Sequence, residues 1–430
     1  MAPLDVLVIG GGVAGPAITY WLSQIPGANI TLIERSPAMR TTGQQLDLRV
    51  SGIKVMRKMG IDDALRAVRV LEPGMQLIDT SGRKRAFFPV ANHGGGRQSI
   101  SSDYEIMRSD LVRVLYGLTK DKSNVRHLFG QTVSNFTQDD ESDPHGKVHV
   151  TFSDGCKEDF DLVIGADGTG SKTRKTMLGS APDARHRTTG GYIGYFSIPS
   201  QPGDSHSLDL CLLPGSIPRT IAARRDCEEL LRIYMITGGS DAGVDAALQS
   251  GDLTQLKRAL ANQYPDDVWE TKRFMKGLLT APQADDLYCT PYEEVRLPVG
   301  DWSKGRVVLI GDAAHSGTAN GLGTSWSFVG SYILAGELAT QVEKDNSLPT
   351  SAIVQAAKRY EEIFRPVATD GHGDSWKLTE WIAPRSELSI EIMHRLASAA
   401  AYLKLDQRLG FDGKIGRWKL PEYPALGGQH

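Results

Sequence analysis

Six residues near the start of the chain, Gly10-Gly11-Gly12-Val13-Ala14-Gly15, are the first whose types and spacing could do chemistry. They lie between an apolar stretch at 4–9 and an amphipathic one at 17–24, and Glu34 closes the next apolar stretch, 30–33. Glycines spaced G-x-G-x-x-G between a strand and a helix, with an acid about twenty residues on, form a dinucleotide-binding fingerprint. Gly10 makes the tight turn, Gly12 lets backbone approach a pyrophosphate, and Gly15 lets the helix sit close to the strand. The helix start offers unpaired N–H groups to negative charge. Glu34 accepts from both ribose hydroxyls, which favours FAD or NAD over NADP. This motif alone leaves NAD enzymes, FAD enzymes and short reductases open.

Two further segments narrow the choice. Asp161-Leu162-Val163-Ile164-Gly165-Ala166-Asp167-Gly168 runs into Ser171 and Arg174. Gly305-Arg306-Val307-Val308-Leu309-Ile310-Gly311-Asp312-Ala313-Ala314-His315 runs into Gly321-Leu322-Gly323. Each is an apolar strand ending in glycine and an acid. Glycine admits a cofactor against the backbone, and a carboxylate binds polyol hydroxyls. A helix starting at Gly321 and Gly323 would stabilise negative charge on the pyrimidine edge of a reduced flavin.

With the three segments in this order, the chain resembles the group A flavoprotein monooxygenases, single-component aromatic hydroxylases with one FAD-binding domain. Within them it is most similar to tetracycline-inactivating monooxygenases and fungal FAD monooxygenases of secondary metabolism. Gly43-Gln44-Gln45-Leu46-Asp47-Leu48, Ser51-Gly52, Met56-Arg57-Lys58-Met59-Gly60 and Glu105-Ile106-Met107-Arg108-Ser109-Asp110-Leu111 carry the likeness, with Gly311 to His315. It covers roughly the first four-fifths of the chain.

The resemblance implies an α/β fold: a Rossmann-like FAD-binding domain of the glutathione-reductase type, a β-sheet substrate domain and C-terminal helices. It implies FAD contacts from Gly10, Gly12, Val13, Ala14, Gly15, Glu34, Arg35, Asp47, Arg108, Asp167, Gly168, Gly311, Asp312, Gly321 and Gly323. Glu34 would hold the adenosine ribose, Arg108 the diphosphate or ribityl region, and Asp312 the ribityl chain, with Asp47 near the flavin. Arg40 would meet NADPH. A surface salt bridge or turn is the other reading of Arg40 and Asp47, and a surface helix start that of Arg108. NADPH or NADH would reduce FAD, O2 would add at C4a, and the hydroperoxide would deliver one oxygen atom to a small aromatic or polyketide-like substrate. Hydroxylation, epoxidation and Baeyer–Villiger insertion all stay open. One departure stands out: where the family usually has a proline over the reactive edge of the flavin, this chain has Ser316-Gly317-Thr318-Ala319-Asn320.

The elements that must position these residues follow from periodicity. Residues 1–35 read β-α-β. Helices are expected at 51–59, 109–118 and 253–264, a long apolar one at 324–342, and amphipathic ones at 353–364 and 386–405, broken by Pro366 and Pro384. Residues 71–100 read as a β-ribbon with a loop at 93–96, either near the pocket mouth or simply exposed. Residues 139–143 read as a solvated acidic loop. Strands are expected at 161–164 and 306–310, and alternation at 192–198, 207–213 and 230–236 marks a second, sheet-rich lobe. The FAD domain then takes 1–75, 101–180 and 285–345, the substrate domain 76–100 and 181–284, and a helical region 346–430. Tyr195, Arg219 and Tyr234 are the candidate substrate contacts, with His206 and Arg232 beside them. No general base is assigned. The stripe Leu388, Ile392, Leu396 and Leu403 is expected to pack on the FAD domain, with a second subunit or a membrane surface as alternatives.

Bulk properties bound the rest. A chain of 430 residues needs more than one core. Apolar and charged fractions of 40% and 23% suit a soluble protein, and a net charge of −3 leaves no footprint for nucleic acid. No apolar run spans a bilayer and no signal peptide is visible, so a cytoplasmic monomer or homodimer acting on a small molecule and O2 is expected. Cys156, Cys211, Cys227 and Cys289 lack metal spacing and read as reduced thiols. A flavin oxidase or dehydrogenase would share all three fingerprints. The W-x-W-x-I-P signature of flavin halogenases is missing. A GDP-dissociation inhibitor, which has the fold without flavin, would not need Glu34, Asp167 and Asp312.

Overall fold

The computed structural model describes residues 4–39, 45–70, 73–90, 104–179, 184–317, 321–345, 348–370, 384–405 and 418–427. Four apolar runs and one mixed edge strand form a parallel sheet. Its order from one edge is Val307–Leu309, Leu162–Gly165, Leu4–Ile9, Ala28–Glu34 and the edge Val125–Phe129, and Ser303–Lys304 adds an antiparallel edge beside Val307–Leu309. Burial on both sides explains why the four inner strands read as apolar runs rather than alternating ones. The helices Ala14–Leu22 and Gly323–Asp345 pack together, with the Trp21 and Tyr332 rings 5.0 Å apart. From Leu4–Ile9 the chain moves to a neighbour on one side, and Leu162–Gly165 returns on the other. The C-terminal ends of these strands therefore open a crevice, the usual ligand position in such sheets.

The second sheet runs Tyr288–Val295, Arg185–Pro199, Leu230–Thr237, Arg219–Arg225, Leu208–Leu213, Gly74–Ile78 and Lys84–Pro89. Ala242–Ser250, Leu253–Ala261 and Thr271–Thr280 cover one face, where Phe196, Ile221, Ile233, Met235 and Leu278 are buried. The helices Ala242–Ser250 and Thr271–Thr280 were not expected, although Asp241 and Gly251 cap the first of them at its two ends. No described helix is long and apolar enough to cross a membrane.

Several boundaries differ from expectation for identifiable reasons. Tyr288–Val295 pairs with Arg185–Pro199 in the second sheet, so the range 285–345 opens in the substrate lobe, not in the FAD domain. Pro366 lies inside the helix Thr350–Ala368 rather than ending it. The proline gives up one intrahelical hydrogen bond near the helix end, and the Thr369 N–H still donates to the Arg365 carbonyl beyond it. Nor is 346–430 one body. Thr350–Ala368 packs on Gly323–Asp345, and the tail returns to that same long helix, where the Tyr423 hydroxyl donates to Glu337 at 2.7 Å. Glu387–Tyr402 instead lies on the second sheet. Its Ala397, Ala400 and Ala401 pack with Leu77, Ala86 and Phe88. Leu388, Ile392, Leu396 and Leu403 are each at least half exposed, so the stripe expected to pack on the FAD domain faces solvent. Small alanines bring the helix close to the sheet and turn the larger side chains outward.

Arg306 is fully buried and corrects the reading of the acidic loop. Its guanidinium donates to the carbonyls of Asp139, Asp140 and Asp143 and to Thr350 Oγ1, so the loop's backbone is anchored while its side chains reach water. Replacing Arg306 with Ala strands these acceptors. The expected loss is roughly 3 kcal/mol or more of unfolding free energy, checked by urea denaturation of the two proteins.

Candidate active site

The three glycine-acid segments meet at the crevice. Gly10 has φ +117°, and a Cβ there would lie 2.4 Å from the Ala166 carbonyl oxygen. A Cβ on Gly15 would lie 1.8 Å from the Gly10 carbonyl oxygen, so only glycine lets the first helix start against the turn. Gly311 has φ +57°, and its missing Cβ would lie 2.9 Å from that of Ala14. Buried Arg174 then ties the second segment to the third, donating to the Thr169 carbonyl at 2.7 Å and the Ala313 carbonyl at 2.8 Å.

Charged groups line this crevice. Glu34 accepts from the N–H groups of Gly11 (2.8 Å) and Ser36 (2.9 Å), which fix its carboxylate beside the turn. Arg35 is exposed next to it, and Val13 and Ala14 are buried at the helix start. Arg108 opens the helix Arg108–Gly117, and its Nη2 lies 3.4 Å from where a Gly12 Cβ would sit. Asp312 is enclosed by protein yet accessible to solvent, the mark of a cleft wall. Desolvation pushes its carboxyl up from the ordinary range, and Arg108 opposes the shift. Asp312 Oδ1 is 3.8 Å from the position a Cβ would take on Gly323, where the long helix begins, and open space surrounds Gly168 and Gly321. A helix start with an arginine over it, a fixed acid at one strand end and an accessible acid at another together fit a dinucleotide.

Asp167 plays a different part from the polyol contact expected of it. Its carboxylate accepts from the Ser171 hydroxyl, the Thr173 N–H (3.0 Å) and the Thr173 hydroxyl (3.1 Å), and so caps the helix Lys172–Leu178. The second segment therefore presents mainly backbone to the crevice. His315 is also structural: it is buried with its ring 5.0 Å from Trp302 and 5.1 Å from Phe364.

A half-open cavity lies between the lobes, with Gln45, Met107, Tyr195, Arg232, Tyr234 and Tyr288 in its wall. Tyr195 meets Tyr234 edge-on, with centroids 5.3 Å apart at 88°, and lies 6.2 Å from Tyr288. Met107 in the cavity wall directly precedes Arg108, the first residue of the helix at the crevice, so the cavity lies beside it. Across the lobes, the Tyr234 hydroxyl donates to Gln45 Oε1 at 3.4 Å and accepts from Arg224 Nη2 at 3.3 Å. Buried Arg224 pairs with Glu105 at 3.2 Å, and the Gln45 amide donates to the same carboxylate. Asp47 stands opposite Glu105 in the strand pair Gln45–Asp47 and Glu105–Met107. Burial and the Glu105 charge raise its carboxyl to about 6, against the pull of Arg49 at 2.8 Å.

Residues 3–198 match the family model described as FAD binding domain. The chain is 40% identical to the flavin-dependent monooxygenase eupH of Phoma sp, covering 99% of this chain and 98% of that protein. It is 36% identical to the FAD-dependent monooxygenase asL4 of Sarocladium schorii over 99% of each. The chain belongs to the flavin-dependent monooxygenases. Among solved structures, the tetracycline destructase Tet(55) superposes with a TM-score of 0.72 at 26% identity, covering 98% of this chain and all of that one.

In this monooxygenase the glycines, Glu34, Arg108 and Asp312, the residues that the sequence resemblance implies for FAD, meet at the crevice. Arg219, expected at the substrate, faces the other way. It shares the helix-covered face with Ile221, one residue out of step with Ala222, which pairs with Tyr234. Its guanidinium is held by the carbonyls of Gln263 and Pro214. Sequence reasoning missed Gln45, Glu105 and Arg224, although Gln45 and Glu105 sit inside stretches that carry the family likeness, and parity with Tyr234 selects Arg224. Ser316, where the family proline is missing, is stitched to the second sheet by the Val295 N–H at 2.8 Å. Arg40, the loop at 93–96 and residues 318–320 lie outside the described residues.

Two outcomes follow from this geometry. Arg108→Met removes the cation over the glycine turn and is expected to weaken FAD binding by about thirtyfold, or roughly 2 kcal/mol, read from the flavin-to-protein absorbance ratio on dilution. Asp47 has a folded pKa of about 6, above its unfolded value of about 3.9. The folded state then holds a proton that the unfolded state releases, so this group's contribution declines as pH rises from about 4 to about 6. In FAD-depleted protein that decline is expected in urea unfolding across this range, and Asp47→Asn is expected to flatten it.

Proposed function

We propose that this monooxygenase takes electrons from NADPH or NADH and inserts one atom of O2 into a small, flat aromatic or polyketide-like molecule held in the cavity between the lobes. The observation that carries the reading is Met107, which lines the cavity and is followed at once by Arg108, the first residue of the helix at the crevice. Substrate and flavin would thus share one wall. The flavin supplies the oxygen chemistry, and this chain supplies position and electrostatics. Tyr195 and Tyr234 offer an aromatic surface on which a planar ring can stack or meet edge-on. We further infer a cytoplasmic setting, in keeping with four free cysteines.

The test is turnover under 18O2 with NADPH or NADH, using a panel of phenolic and fused-ring compounds that includes tetracycline, because a tetracycline destructase shares the fold. The expected product carries one labelled oxygen atom per nicotinamide oxidised. Stoichiometric hydrogen peroxide with no labelled product across the panel would identify an oxidase instead.

A further inference from the structure

One part of the cavity wall is built from charge rather than aromatic surface. Ser197 and Arg232 are paired across neighbouring strands, two residues along from the Tyr195–Tyr234 pair and on the same face. The charged cluster therefore lies roughly 7 Å from the tyrosine row. Arg232 Nε donates to Asp226 Oδ2 at 3.0 Å, and its Nη1 donates to Asp286 Oδ2 at 3.4 Å and to the Ser197 hydroxyl. Asp286 also accepts from the Ser197 N–H at 3.1 Å and the Ser197 hydroxyl at 2.6 Å. Asp226 Oδ1 is buried with no hydrogen-bond partner. One cation thus sits among two carboxylates, and the cluster carries a net charge of −1.

The other charges near the cavity do not reverse this. Arg224 is paired with Glu105 and Arg49 with Asp47, while Arg108 faces Asp312. A bound FAD diphosphate would add further negative charge beside Arg108. An anionic ligand entering the cavity therefore meets a net negative charge. A neutral hydroxyl meets a matched pair instead. Asp286 Oδ1 has a lone pair left after accepting from Ser197, and Arg232 Nη2 donates to none of the described residues.

We propose that Arg232, Asp226 and Asp286 select an uncharged hydroxylated ring and reject a carboxylated one. The ring hydroxyl donates to Asp286 and accepts from Arg232 while the ring lies against Tyr195 and Tyr234. This deepens the reading above and rests on it. A hydroxyl donating to a carboxylate pushes electron density into its ring, which suits attack by an electrophilic oxygen. Arg232 and Asp286 act here as specificity and positioning residues.

The probes are 2-naphthol and 2-naphthoate, which share one ring system and differ in charge at pH 7.5. Binding to the FAD-loaded enzyme is measured by equilibrium dialysis, which does not depend on turnover. The naphthol is expected to bind at least tenfold more tightly. Asp286→Asn takes the cluster to zero net charge and is expected to narrow that ratio at least fivefold. Arg232→Gln takes it to −2 and is expected to widen the ratio, even as both ligands weaken. Opposite shifts from two neighbouring substitutions would not arise from a merely structural role. Should either variant lose FAD or fold poorly, Ser197→Ala tests the same hydroxyl position and is expected to weaken the naphthol alone. Equal or tighter binding of naphthoate, failure of both probes to bind, or a ratio unmoved by both charge changes overturns the proposal. Labelled oxygen entering a carboxylated ring would overturn it while leaving the monooxygenase reading intact.

Discussion

Three close contacts leave no room for a methyl group, and the rest of the molecule is arranged around them. Gly10 lies under the Ala166 backbone, Gly15 against the Gly10 carbonyl, and Gly311 beside the Ala14 methyl. The first and third bring two segments together, the second closes the turn within one segment, and positions 10 and 311 also require positive φ. Because these segments are the ends of parallel strands, the contacts gather their polar groups at one crevice. Arg174 then fixes the second segment to the third through two carbonyls. The acids and Arg108 gain meaning only after this convergence, since each alone is a strand-end or helix-start residue.

Polar contacts at the cavity help to join the second lobe to the first, beside the apolar packing of Val295 and Leu297 into the first lobe's core. Arg224 reaches from the sheet to Glu105 of the first lobe, and Tyr234 reaches Gln45. A buried ion pair of this kind adds little net stability, because desolvation offsets most of the attraction. It does fix how the two lobes are aligned, since a shift would leave one charge buried and alone. The stretch Gln45–Asp47, paired with Glu105–Met107, is thus a hinge of chemistry: one end serves the cavity and the other leads into Arg108 at the cofactor cleft.

Several residues that look catalytic in isolation turn out to hold the frame. Asp167 caps a helix, His315 fills an aromatic core, and Arg219 braces the back of the sheet. The acids that do face the cleft are distinguished by accessibility, as in Asp312, or by being clamped on backbone amides, as in Glu34.

The fold class and the cofactor region were legible in the sequence because both depend on local chemistry at fixed spacing. Glycine is the residue that tolerates the turns at 10 and 311, and short apolar runs that end in glycine and an acid fit the buried strands of a covered parallel sheet. Which faces of the second sheet look at the cavity was not legible. A strand changes face at every residue, so an error of one position moves Arg219 for Arg224, and nothing within a single strand marks which side its helices will cover. The same limit hid the apolar stripe of Glu387–Tyr402: periodicity shows that a stripe exists, but packing against the sheet chose the alanine face instead. The net charge of the cavity wall belongs wholly to the tertiary structure. Asp226 and Arg232 share one hairpin, but Asp286 lies 54 residues beyond Arg232, and the sum has meaning only once folding has placed it beside them.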